Sequence, residues 1–141
     1  MIKILFICTG NTCRSPMAEA LCRDALEKAG LSEQVCCISR GLQVVSGDGM
    51  NPKARQVLEE VKVDAVSHQA QPLMLETLRR ADLIYVMTDS QKEVLADACP
   101  EAIEKIQVLH VADPYGGELK DYRACRDQLQ RAVEEIIRKV Q

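Results

Sequence analysis

Aromatic residues are scarce in this chain: one phenylalanine, three tyrosines and no tryptophan, 3% of 141 positions. It also lacks any apolar stretch long enough for a membrane span or a secretion signal. The N-terminal run from Ile2 to Ile7 is too short for either, so a cytoplasmic protein without membrane attachment is expected. A basic excess is missing as well. Eighteen Lys and Arg stand against 21 Asp and Glu, a net charge of −3, which argues against a general binder of nucleic acid or anionic membranes. No Ser/Gly-rich linker, low-complexity tract or internal repeat divides the chain. Residues 1–141 therefore read as a single domain, large enough to bury a core without staples. No Cys-x2-Cys pair occurs, and the two histidines, His68 and His110, lack ligand spacing. Neither a metal nor another cofactor is expected.

Hydrophobic residues make up 47% and charged residues 28%, ordinary values for a globular protein. The seven cysteines would suggest a disulfide framework only in a secreted chain, and their number is odd. Cys22 and Cys125 fall on apolar helix faces and Cys36 and Cys37 in a strand, so most read as small buried side chains.

Short apolar runs alternate with amphipathic ones. The pattern predicts strands near 2–7, 35–39, 82–87 and 106–110, and helices near 16–29, 52–61, 72–80, 89–97 and 118–139. In the last helix Leu119, Tyr122, Cys125, Leu129, Val133, Ile136 and Val140 recur every three to four residues and form one apolar face. The fold class expected is α/β: a single three-layer domain with a four-stranded parallel sheet and helices on both faces. Ligands of such sheets bind at the carboxyl ends of strands, where Cys8 falls.

The chemistry is concentrated in Cys8-Thr9-Gly10-Asn11-Thr12-Cys13-Arg14-Ser15, between the first strand and the first helix. Backbone N–H groups of a tight turn at a helix N-terminus form a cradle for a tetrahedral anion. The same field favours the thiolate of a cysteine at its centre, and the Arg14 guanidinium can grip two anion oxygens at once. Gly10 and Asn11 tolerate unusual backbone angles, and Ser15-Pro16 reads as a helix start with proline at its first position. The bland alternative is a buried cysteine, a cap and a solvated arginine.

These residues, continuing as Pro16-Met17-Ala18-Glu19-Ala20, resemble the low-molecular-weight protein tyrosine phosphatase family. So do Ala81-Asp82-Leu83-Ile84-Tyr85-Val86-Met87-Thr88 and Asp113-Pro114-Tyr115, and the likeness spans nearly the whole chain. It implies a phosphocysteine mechanism on a phosphorylated protein, with Cys8 as nucleophile, Arg14 as phosphate clamp and Asp113 as general acid. Thr9 to Ser15 would bind the phosphate. Asn11 in the family braces the loop, Ser15 donates to the thiolate, and a neighbour such as Cys13 forms a reversible disulfide with the nucleophile. From inventory alone, Asn11 could be a turn residue, Ser15 a cap and Cys13 an idle thiol. His68 reads as a hydrogen-bonded loop anchor. A monomer is expected.

Substrate choice turns on Thr12 and Tyr115. Tyrosine-directed members commonly carry isoleucine where this chain has Thr12, whose hydroxyl resembles the bacterial protein arginine phosphatase branch. Gly116-Gly117 stand where many such members have a second aromatic, and the expected facing rim, Ser39 to Val45, has none. Tyr115 can still pack on a guanidinium. Phosphoarginine is the preferred substrate and phosphotyrosine the alternative. Arg40, where relatives usually have alanine, reads either as a solvated rim residue or as a cation biasing the entrance. A remote alternative is an arsenate reductase, which needs two further relay cysteines. A phosphate-binding adaptor or redox sensor would have no use for Asp113.

Overall fold

A computed structural model describes residues 1–45, 47–65 and 67–141. Strands β1 (Ile2–Cys8), β2 (Val35–Gly41), β3 (Leu83–Val86) and β4 (Ile106–Val108) form one sheet in the order β2-β1-β3-β4, with every pairing parallel. The chain steps from β1 outwards to β2, then returns to the other side of β1 for β3 and β4. The topological switch point is therefore the carboxyl end of β1, where Cys8 stands.

The pleat explains why β1 is apolar throughout. Ile4, Phe6 and Cys8 point into one core, Leu5 and Ile7 into the other. The first core is closed by helices α1 (Arg14–Lys28), α2 (Pro52–Glu60) and α5 (Leu119–Val140). The second is closed by α3 (Leu75–Arg80), α4 (Asp89–Ala98) and a 3₁₀ turn over Pro100–Lys105. Along α5 Tyr122, Cys125, Leu129, Val133 and Ile136 are buried on the expected face, flanked by half-buried Leu119 and Val140. Among the described residues no helix is long and apolar enough to cross a membrane.

Two boundaries differ from the sequence reading in ways that matter for the site. Helix α1 begins at Arg14, so Ser15 and Pro16 are its second and third residues rather than a cap and a first position. Its N-cap is Cys13, and no side chain bonds the free amides there. Ser15 is thus released from capping. The 3₁₀ turn, absent from the periodicity, winds on directly from α4 because Pro100 lacks the amide an α-helix would need.

Candidate active site

Strand β1 delivers Cys8, and the loop after it is held by its carbonyls. Cys8 O accepts from Leu42 N (3.0 Å), Thr9 O from Gln43 N (2.8 Å), Thr12 O from Asn51 N (2.8 Å) and Cys13 O from Met17 N (3.0 Å). Asn11 O accepts from His68 Nε2 (2.7 Å). In a trans peptide the following N–H points opposite to the carbonyl. Carbonyls drawn away from the loop centre therefore turn the amides of Thr9, Gly10, Thr12, Cys13 and Arg14 inwards. The cradle is imposed from outside.

Asn11 is the keystone. It is wholly buried and sits at φ 55°, a conformation asparagine tolerates. Its Nδ2 donates to Ser15 Oγ (2.9 Å) and Ser39 Oγ (3.0 Å), and its Oδ1 accepts from Gln71 N (2.9 Å). Each hydroxyl is left with one proton to place. Ser39 gives its proton to Glu19 Oε1 at 2.9 Å. The Ser15 hydroxyl lies 2.9 Å from Cys8 Sγ, where its proton can meet the sulfur. A directional set of bonds thus runs from Asn11 to the candidate nucleophile.

Arg14 is 5% exposed although charged. Its Nη1 donates to Val111 O at 3.0 Å, and its Nη2 lies 3.7 Å from Asp113 Oδ2. Asp113, in the loop after β4, is half exposed, and its Oδ1 accepts from Tyr115 N at 3.0 Å. Cys8, Arg14, Asp113 and the Thr9–Ser15 segment are thus brought to one end of the sheet. Buried Cys13 belongs to the same loop, and desolvation pushes its thiol well above the usual range. Burial also pushes Cys125, on the facing side of α5, up to about 12, against the pull of the Arg14 charge.

Several contributors were not singled out by sequence reasoning. Gln91 accepts from Met87 N and Thr88 N in the capping box of α4 and donates to Thr9 Oγ1 at 3.2 Å. The pattern Thr88-x-x-Gln91 is a legible capping signal, but its link to Thr9 spans 82 residues. Ser39 and Glu19 gave no signal beyond polar residues next to buried positions. His68 occupies the anchoring place expected of it.

Arg40 lies in β2, opposite Ile7 in register, and folds along the strand edge with Nη1 on Ser39 O at 2.7 Å. Of the expected facing rim, Ser39 to Gly41 belong to β2, and Gly41 is there because nothing larger fits. An added Cβ would lie 2.9 Å from both Thr9 O and Asn11 Cβ.

The geometry can therefore bind a tetrahedral anion over a sulfur nucleophile with a carboxyl group nearby. Comparison with known proteins agrees. The model of the family described as low molecular weight phosphotyrosine protein phosphatase matches residues 3–141. The protein-arginine-phosphatase of Bacillus subtilis is 33% identical, over 99% of this chain and 97% of that one. A probable low molecular weight protein-tyrosine-phosphatase, EpsP, of Ralstonia nicotianae is 36% identical, over 95% and 93%. The solved structure of the YwlE arginine phosphatase from Geobacillus stearothermophilus superposes with a TM-score of 0.89 at 35% identity, covering 99% of this chain and 93% of that one. The chain belongs to the low molecular weight phosphotyrosine protein phosphatase family.

Proposed function

We propose that this phosphatase acts on phosphoarginine in proteins, with Cys8, Arg14 and Asp113 as its catalytic residues. Cys8 Sγ attacks phosphorus in line while the inward amides of Thr9, Gly10, Thr12, Cys13 and Arg14 and the Arg14 guanidinium take the charge of the equatorial oxygens. The P–N bond breaks, and Asp113 protonates the departing guanidine nitrogen. A water then attacks the phosphocysteine and passes its proton to Asp113. The P–S bond breaks, and orthophosphate and the sulfur nucleophile are released.

The observation that carries the substrate choice is the whereabouts of the aromatic residues. Phe6 and Tyr85 stack on each other in the core, and Tyr122 is buried. Only Tyr115 remains at the surface, 76% exposed. A flat phenyl ring would find one aromatic wall, whereas a guanidinium needs one face to stack on and acceptors at its edge. Thr12 supports the same choice. It is half-buried in the loop, and its hydroxyl makes no hydrogen bond with the described residues. That oxygen can meet a guanidinium N–H or the hydrolytic water.

Phosphotyrosine is the second reading, favoured by the family description and the Ralstonia relative. An arsenate-reducing relay is disfavoured by Cys99, which lies in the core on the other face of the sheet from Cys8. Cys13 is proposed as the partner of an oxidised Cys8. Its raised pKa means that peroxide must first convert Cys8 to the sulfenic acid, from which the Cys13 sulfur displaces water. The proposed protein is a cytoplasmic monomer comprising one domain.

Comparison of kcat/KM on phosphoarginine and phosphotyrosine peptides, for the wild type and Thr12→Ile, tests the substrate. A phosphoarginine preference that collapses in T12I is expected. A phosphotyrosine preference unmoved by T12I would overturn the reading.

A further inference from the structure

The loop that carries Asp113 is fixed at both ends by cations belonging to other elements. At its start, Val111 N donates to Met87 O (2.9 Å), and Val111 O accepts from Arg14 Nη1 (3.0 Å). At its far end, Gly117 O accepts from Lys53 Nζ at 2.8 Å. Between these points Gly117 N bonds Pro114 O at 2.8 Å, closing a turn so tight that a Cβ on Gly117 would lie 2.6 Å from Asp121 Oδ2.

Lys53 is the second residue of α2. The N-cap of that helix, Asn51, donates its N–H to Thr12 O in the phosphate loop at 2.8 Å, and its side chain accepts from Lys53 N at 2.9 Å. The contacts form a continuous line from Thr12 through Asn51 and Lys53 to Gly117. Lys53 Nζ also lies 5.9 Å from the ring centre of buried Tyr122, which favours the lysine pose that reaches Gly117. Both ends of the acid loop are thereby referred to the phosphate loop.

Packing holds this loop at Pro114, which is buried, whereas Ala112, Asp113 and Tyr115 are exposed. Behind it lies a half-open cavity of about 300 Å³, lined by Asp113, Pro114 and Tyr115 on one side and Cys125 and Gln128 on the other. Among the described residues the Asp113 carboxylate is held only by Tyr115 N and the distant Arg14.

We infer that Lys53 is a positioning residue for Asp113, latching the acid loop at Gly117 so that the carboxyl group stays over the leaving atom. The inference rests on Asp113 being the general acid. Without the ammonium, Gly117 and the Pro114 turn can settle back into the cavity and carry Asp113 with them. Phosphate binding, which uses the loop amides and Arg14, is untouched.

Protonation matters most when the leaving group is poor. The test measures kcat/KM on phenyl phosphate, a poor leaving group, and p-nitrophenyl phosphate, a good one. The wild type is compared with Lys53→Met, Lys53→Ala, Lys53→Arg and Asp113→Ala. K53M keeps the apolar stem on Tyr122, so a loss it shares with K53A belongs to the ammonium. Both should lose about tenfold on phenyl phosphate and less than about threefold on p-nitrophenyl phosphate. Inhibition by inorganic phosphate should be unchanged, and K53R should restore most of the loss. Equal losses on both substrates, or none on either, while D113A separates them, overturn the role of Lys53 alone. If D113A itself fails to separate them, the acid assignment falls, and the inference with it.

Discussion

Asn11 uses every polar atom of its side chain, and each bond has a direction. Replacing the amide by a carboxylate turns two donors into acceptors at the point where Ser15 and Ser39 need donors. In Asn11→Asp the Ser15 proton would turn to the new carboxylate and leave Cys8 Sγ. The added negative charge would also stand beside the anion cradle. The expected result is a loss of kcat of at least about tenfold, since a hydrogen bond to a charged group is worth about 1.5–3 kcal/mol. Asn11→Ala should instead cost mainly stability, about 3 kcal/mol in urea unfolding, through orphaned buried groups and a non-asparagine residue at φ 55°. A kinetic defect in N11D no larger than in N11A would count against the directional reading. These roles were only partly legible in the chain. Asn11 announces itself as a residue fit for a tight turn, but the partners that make it a keystone, Ser39, His68 and Gln71, come from 28, 57 and 60 residues away.

Among the elements, α2 and α5 meet through a clasp on Glu60. Its carboxylate accepts from Arg123 Nε and Nη2 (3.0 and 2.8 Å) and from Arg126 Nη1 (2.8 Å). The hydrogen bond from Arg123, followed by that from Arg126, holds its pKa below the usual 4.5. With the folded-state value depressed, the clasp contributes fully above the unfolded-chain value. Its contribution is lost as pH falls through the lower folded-state value. The wild-type Tm should therefore fall below about pH 4.5 with a component that Glu60→Gln lacks. The two proteins should converge at the acid end, and parallel curves from pH 7 to pH 3 would refute the assignment. Because α2 also carries Lys53 and is capped by Asn51, the clasp steadies the helix that reaches Gly117. The helices themselves were legible as periodic segments. Their mutual contacts were not, because an exposed Glu and two Arg on separate helices resemble any solvated face.

At the scale of the whole molecule, β1 is shared by two cores, one on each face of the sheet, so neither layer can open without exposing the other. Unfolding should therefore be a single cooperative transition. The chain has no tryptophan, so far-UV circular dichroism and tyrosine absorbance are the suitable probes. Coincident urea curves from the two are expected. Separated midpoints would mean that residues 1–141 comprise more than one folding unit. The monomer is tested by size exclusion, where a mass near 15.7 kDa is expected.

The sequence by itself determined what local rules can encode. These are the alternation of strands and helices, the parallel sheet that such alternation requires, and the cysteine-to-arginine loop at a strand-to-helix junction. Backbone propensity and side-chain period act over a few residues, so they can be read there. Only the tertiary structure decided which way most of the loop amides face, because the distant partners of the loop carbonyls are Leu42 and Gln43 just after β2, the α2 cap Asn51, and His68. It also fixed the course of Arg40, which lies in the edge strand β2 with its guanidinium on the Ser39 carbonyl. Arg14 and Lys53 were assigned their anchoring partners by the same long-range packing, which brings both ends of the Asp113 loop within reach.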